Sequence, residues 1–315
     1  MRSEMHAPAP ACTRTQPMDR FGSVVATSVS VLLVEAVIGI IAAYVWDQTQ
    51  ETPPLPYNAL GLVLMVIAAP FVAAAGGALC AFLAVGVVVP VLTAAAWLGR
   101  RLSGREAWWW VPVTAAAAAL PAAPALVLLT EAGIAAGLAG WVTAATALTA
   151  PALVARRLLL PDRPRLSGRT MVGQVALYGT LAAVTAFALA GVALFAGVAY
   201  EPPWFNPAQL AGTYSDGKGG TLTLTRDGAA VATRIDTFDF EAVDAFDPVV
   251  RECTGVGTWS FSPVDGPHSQ QVDVSVDACP VDMDSWSLYG TRESPKLFVF
   301  VGDPDSWDLY TLRRE

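Results

Sequence analysis

Five aspartates near the end of the chain have the spacing of hard-cation ligands. Asp282 and Asp284 lie in DMDSWSLYGTR (282–292), and Asp303, Asp305 and Asp308 in DPDSWDLYTLR (303–313). The two stretches begin 21 residues apart and agree at seven offsets: Asp, Asp, Ser, Trp, Leu, Tyr and Arg. Carboxylates at alternate positions can gather around Ca²⁺. These loops lack the Gly and the distal Glu of a helix–loop–helix calcium site, however. The favoured reading is a turn before a strand, with Asp and Ser bonding the local backbone. Trp and Leu, two apart, then share one face of the strand and Tyr takes the other. A spacing of 21 residues is one hairpin plus its return, so the repeat reads as architecture.

Other candidate chemistry is sparse. Glu35 sits in the middle of SVSVLLVEAVIGI, where a carboxylate in hydrocarbon marks a proton or ion site, or an acid bonded to a neighbouring Ser or Thr that holds helices together. No other apolar stretch carries an acid or base at its centre, so no relay of charged groups is expected. Cys253 and Cys279 are the two cysteines of the C-terminal region and form a candidate disulfide in an oxidising compartment. Cys12 is expected to be cytoplasmic and reduced, and Cys80 to be buried in a lipid-embedded helix. The two histidines, His6 and His268, supply no Ser-His-Asp or Cys-His set there. GKGGT (217–221) fails the phosphate-loop pattern, because Lys218 precedes the Gly pair and a strand follows. No catalytic residue and no cofactor is therefore assigned.

The elements that must hold these groups fall into two regions. Only 15% of the 315 residues are charged, against about 25% in ordinary soluble domains. Before residue 201 there are 11 Arg, no Lys and 8 acids; from Glu201 on there are 8 bases and 19 acids, a net of −11. That acidity disfavours nucleic acid, because it repels phosphate.

Five apolar stretches, about 23–46, 58–98, 107–130, 132–155 and 170–199, read as membrane spans with the lipid bilayer as their surroundings. The second is too long for one crossing. It reads either as one span continued by a kinked, half-buried helix or as a hairpin near Gly76-Gly77, with Pro70 and Pro90 as further places to bend. A single crossing puts all 11 Arg on one side and none in 47–58 or beside Glu131. The positive-inside rule then places the N-terminus in the cytoplasm and the C-terminal region outside. Trp97 and Trp108-Trp109-Trp110 read as the inner aromatic belt, and Trp46, Tyr57, Tyr200 and Trp204 as the outer one. In AGIAAGLAG (132–140), Gly133 and Gly137 form a small-residue face suited to packing within the bundle.

The boundaries read as a 1–22 tail, a 23–199 helical domain, a 200–209 linker and a 210–315 β domain. Short alternating strands are expected at 210–214, 221–225, 229–235, 257–262, 270–277, 286–292, 296–301 and 307–313, separated by turns such as SDGKGG and PVDG. Eight sequential strands make a meander that can close into a small barrel. The acidic segment 236–255 falls between strands, and a Cys253–Cys279 bridge would pin it to the barrel. KLFVFV (296–301) is apolar on both faces, so its outer face needs cover from that segment, the membrane or a partner.

LAGTYSDGKGGTLTLT (210–225) resembles the opening of calycin-type barrels such as lipocalins and avidins. In those, Gly-x-Trp begins the first strand and seals the barrel floor. Tyr214 stands where that Trp would be, and Arg313 is similar to the terminal Arg that packs on it in lipocalins. The resemblance implies a closed barrel and carries over no ligand residues. The whole chain resembles multi-pass membrane proteins of high-GC Gram-positive bacteria that carry such a module after several helices, which implies the bacterial cell membrane. The expected function is an outward-facing barrel that binds a small apolar ligand, an envelope component or a protein partner. A structural or accessory subunit is the alternative, and a small transporter using Glu35 comes third.

Overall fold

A computed structural model of the chain describes residues 17–53, 59–105, 107–130, 133–159, 168–239, 249–263, 266–277, 279, 285–302 and 308–315. It divides into two compact units, Met1–Ala43 with Val66–Val192 and Tyr44–Met65 with Ala193–Glu315.

The helices are α1 (Pro17–Gln48), α2 (Ala59–Leu83), α3 (Val89–Ser103), α4 (Trp110–Ala119), α5 (Ala122–Thr130), α6 (Ile134–Leu159) and α7 (Gly168–Phe195). Five runs are long and apolar enough to cross a membrane: Phe21–Gln48, Leu60–Ser103, Trp110–Leu128, Ile134–Arg157 and Arg169–Phe195. The second run does not reverse at Gly76-Gly77; α2 continues into α3 through a π-helical turn, Ala84–Val88. Pro90 causes the irregularity, since it has no N–H to offer the carbonyl of Gly86. The turn widens, and Val89 N–H reaches back to the carbonyl of Ala84. At 44 residues the run is about 66 Å long. Its two halves differ in surroundings. Met65, Val66, Ile67 and Phe71 are exposed, whereas Ala84, Val88, Val91, Leu92 and Ala95 are buried against Val111 and Ala115 of α4 and Ala152 and Ala155 of α6.

Pro121 also breaks the third span, but here the turn tightens. Leu120 N–H turns to the carbonyl of Ala117, and the carbonyl of Ala116 accepts Trp141 Nε1–H at 2.9 Å. The expected packing glycine Gly137 sits against α5, where a Cβ would meet Val127 at 2.7 Å. Its second contact glycine is Gly140, against Leu126, because Gly133 has open space beside it.

The second unit contains a closed antiparallel barrel in which every strand pairs with its sequence neighbours and the last pairs with the first. The strands are β1 (Gly212–Ser215), β2 (Thr221–Leu224), β3 (Ala229–Asp239), β4 (Val249–Ser262), β5 (Gln271–Val276), β6 (Ser285–Gly290), β7 (Pro295–Phe300) and β8 (Leu309–Arg314). All eight expected strands are present, and β3 and β4 extend into the acidic segment expected between strands: Asp236 pairs with Glu252 and Phe238 with Val250. The reason is a β-bulge between Ala232 and Ile235, with Arg234 at φ 50°. One extra residue shifts the inward positions from 230 and 232 to 235 and 237, which erases the alternation that marks a strand in sequence. The sulfurs of Cys253 and Cys279 lie at bonding distance, with their Cα atoms 5.6 Å apart, so the bridge ties β4 to the residues after β5.

The two DxDSW copies are not equivalent. In the first, Trp286 and Leu288 point inward and Tyr289 outward, as expected. In the second the faces swap: Tyr310 and Leu312 join the core, while Leu309 pairs with Phe300 on the outside. A one-residue change of register is enough to do this.

Candidate functional site

The barrel interior is the natural place for a ligand, and among the described residues large side chains pack much of it. Tyr214, Leu222, Leu224, Trp286, Leu288, Leu297 and Leu312 are each at most 1% exposed and form one cluster with Val272, Trp259 and Tyr310. Values that low leave no water-sized gap beside them. Eight strands enclose an interior that side chains of this size can occupy completely.

One end is closed by the chain that precedes β1. A short helix, α8 (Pro207–Leu210), is fixed by a capping box in which Asn206 and Gln209 each bond the other's backbone N–H. It lodges Phe205 and Leu210 in the core cluster. Gln270, fully buried, clasps this plug: its Oε1 accepts Phe205 N–H at 2.8 Å, and its Nε2 donates to the carbonyls of Pro203 at 3.0 Å and Pro267 at 2.8 Å. Tyr214 donates its hydroxyl to the carbonyl of Leu210 at 2.8 Å. Burial pushes that phenol up to about 12, partly offset by Arg314. Arg314, paired across the seam with Tyr214, donates to the carbonyls of Gln209 at 2.8 Å and Ala211 at 3.1 Å. The arginine at this end is thus Arg314; Arg313 points outward and is exposed.

At the β1–β2 turn, Asp216 is wholly engaged. Its Oδ1 accepts the N–H groups of Lys218 at 2.7 Å and Gly220 at 2.9 Å, and its Oδ2 accepts the Tyr310 hydroxyl at 3.1 Å. Burial raises this carboxyl, but those bonds together outweigh it and hold it below the usual range. Tyr310 also accepts Asp236 N–H at 3.1 Å, and burial raises its phenol. Asp273 likewise accepts Ser262 and Ser285 hydroxyls, each at 2.6 Å. These acids stabilise turns and pairings.

Of the calcium candidates, Asp282, Asp284, Asp303 and Asp305 lie outside the described residues. Asp308 is exposed, and its backbone carbonyl accepts Val301 N–H at 2.9 Å. Among the described residues no three His, Cys, Asp or Glu side chains converge as a metal site.

The outer face of β6–β7 carries Tyr289, Phe298 and Phe300 edge-to-face, at 5.4 and 5.6 Å. The first two are buried, at 7% and 1% exposed. Beside them the chain 44–53 is tied down. Lys296 lies over the Tyr289 ring and pairs with Glu51 at 2.7 Å. Tyr200, expected in the outer aromatic belt, accepts Gly290 N–H at 2.6 Å and donates to its carbonyl at 2.9 Å. Burial raises the Tyr200 phenol. Trp46 and Trp204 remain exposed.

In the helical unit, Glu35 is bonded to no Ser or Thr among the described residues. Its Oε2, Thr27 Oγ1 and Ser28 Oγ are buried and have no hydrogen-bond partner among the described residues.

The plug was missed in sequence because Gln270 and Arg314 look like ordinary surface residues. The legible signal was NPAQ (206–209), a helix start placed just before a strand. No protein-family model, no curated protein and no solved structure matches the chain.

Proposed function

We propose that this is an interaction subunit of the bacterial cell membrane, in which a five-span anchor displays a rigid, disulfide-stapled barrel outside the cytoplasm for a protein partner. The observation that carries this is the packed core: Tyr214, Trp286 and Leu297 are at most 1% exposed, which leaves no room for a small apolar ligand beside them. Recognition then falls to the outside of the barrel and its acidic loops. Small uncharged residues, Thr223, Val231, Val256 and Thr258, run across the outer face of β2–β4.

Two observations support the sidedness. A Cys253–Cys279 pair at bonding distance suits an oxidising compartment. Tyr200 N–H, after the last span, donates to the carbonyl of Gln48, at the end of the first, at 2.7 Å. A chain that leaves and returns to one side crosses an even number of times between. The four spans after Phe21–Gln48 satisfy this if Leu60–Ser103 crosses once, and a double crossing there would break it.

The test is photo-crosslinking from single outward positions in native membranes. A benzophenone side chain at Thr223, Val256 or Thr258 should give a discrete crosslinked protein. Absence of any adduct at all three, combined with saturable uptake of an apolar fluorophore by the full chain in nanodiscs, would reverse the reading.

A further inference from the structure

The arginines of the helical unit gather at one end of it, with tryptophans set among them. Helix α3 ends on Arg100 and Arg101, and α6 on Arg156 and Arg157. Two spans separate these ends along the chain, Trp110–Leu128 and Ile134–Arg157, so both ends lie on one side of the membrane. Packing agrees: Ala95 of α3 and Ala155 of α6, shortly before the arginines, are buried in one cluster. Gly104, at φ 65°, stops α3 in a left-handed conformation that glycine adopts without strain, and Arg105 follows it. Arg101, Arg105 and Arg157 are exposed, and no ion pair among the described residues engages them.

The charge at this end has one sign. From Val89 to Thr170 the chain holds eight Arg and no Lys. Between α3 and α4, and between α6 and α7, the sequence has one acid each, Glu106 and Asp162. Helix α4 starts here with no acid in its first turn and no side-chain cap, so its positive end adds to the field.

The indoles are held in place beside these cations. The Arg101 guanidinium lies over the Trp97 ring, 5.0 Å from its centroid. Trp110 donates its Nε1–H to Ser103 Oγ at 3.0 Å and stacks on Trp109 at 4.4 Å. Trp97, Trp108 and Trp109 are nevertheless exposed. Indoles at the end of a span occupy the headgroup layer, so what meets these arginines lies at headgroup depth. An arginine over an aromatic face keeps its in-plane N–H donors for a second group, and its fork matches a phosphate oxygen pair. A zwitterionic headgroup would bring a further cation among the arginines, whereas an anionic one brings only the charge they lack.

We propose that the ends of α3 and α6, with the start of α4, form a site for the headgroup of an anionic phospholipid. Arg101 and Arg157 supply the phosphate-binding forks from the two helices, and Trp97 positions Arg101. The site depends on these helices spanning the membrane and not on the barrel or its partner. Arginines in a last helical turn also complement the helix dipole and fix topology, but lysines serve both purposes equally well. A requirement for the arginine fork is therefore the mark of the lipid site.

Mass spectra of the intact full chain, released from detergent micelles doped equally with phosphatidylglycerol and phosphatidylcholine, test this. Wild-type protein should retain phosphatidylglycerol over phosphatidylcholine by about fivefold or more, the worth of one arginine near a charged headgroup. Arg101→Gln with Arg157→Gln should remove most of that preference. Arg101→Lys with Arg157→Lys, which keeps the charge and the topology, should still lower it by about threefold. Trp97→Ala should lower it with every arginine in place. The proposal is overturned if wild type retains both lipids equally, or if the Lys pair keeps the wild-type ratio, since charge alone would then account for the arginines. It is overturned as well if inorganic phosphate, but not chloride at equal ionic strength, strips the phosphatidylglycerol, which would make free phosphate the ligand. Should the Gln pair not fold, the Lys pair and Trp97→Ala decide.

Discussion

Replacing Gln270 with Ala should open the floor of the barrel without dissolving the barrel. The side chain makes three hydrogen bonds from a fully buried position, to Phe205 N–H, the Pro203 carbonyl and the Pro267 carbonyl. Each is worth about 1 kcal/mol net, and Phe205 N–H would be left buried and unpaired. The loss is therefore about 3 kcal/mol of local stability, or a factor of about 150 in the opening equilibrium. Hydrogen–deuterium exchange of the full chain in nanodiscs measures it. The peptide covering 203–206 should exchange about 100-fold faster, while β2 and β7 keep their protection. Gln271→Ala is the control: Gln271 begins β5 on its outward side, and its loss should change exchange less than threefold. If Gln270→Ala left the 203–206 peptide as protected as before, the plug would be held by Phe205 and Leu210 packing alone, and the reasoning from buried hydrogen bonds would be wrong.

Three further outcomes follow from the same geometry. Reducing the Cys253–Cys279 bridge, or Cys253→Ser, removes a cross-link spanning 26 residues. The expected cost is about 3.5 kcal/mol, read as a drop of at least 10 °C in the onset of thermal proteolysis of the barrel. Gly257→Ala should prevent the β4–β5 pairing, because a Cβ there would collide with the carbonyl oxygen of Ser275 and meet Val276 Cα at 2.7 Å; failure to form the disulfide during expression reports it. Alkaline pH should loosen the barrel. The Tyr214 phenol is raised from 10.0 to about 12, so its contribution is intact below pH 10 and is lost as pH rises through the folded value. Tyr214→Phe should be less stable at pH 7 for want of the Leu210 bond, yet show a flatter decline between pH 10 and 12, measured by chemical denaturation.

Much of the architecture is legible in the residues because hydrophobic periodicity carries it. Long uncharged runs give the helices, and period-two stretches such as TLTLT and QVDVSV give strands with little ambiguity. Three things are not legible. The bulge at Ala232–Ile235 shifts the alternation, so DTFD and VVRE read as loop although they pair. The second DxDSW copy keeps the letters of the first but turns the opposite face inward, since Tyr310 is claimed by Asp216 and Asp236. Gln270 meets Phe205, and Arg314 meets Gln209, only after the barrel closes, across 65 residues or more. Glu35 was visible at once as a carboxyl in an apolar run. That its Oε2 and the Thr27 and Ser28 hydroxyls lack partners among the described residues depends on which helix lies opposite, and sequence spacing does not report that.

The side of the membrane on which the barrel lies decides the rest. Single cysteines placed at Thr258, exposed on β4, and at Arg101, at the end of α3, can be treated in whole cells with a maleimide that does not cross membranes. Labelling at Thr258 and not at Arg101 is the expected result, with the reverse pattern after selective access to the cytoplasm. Labelling of Arg101 in intact cells with Thr258 protected would put the barrel inside, and the receptor-like display proposed for it would be untenable.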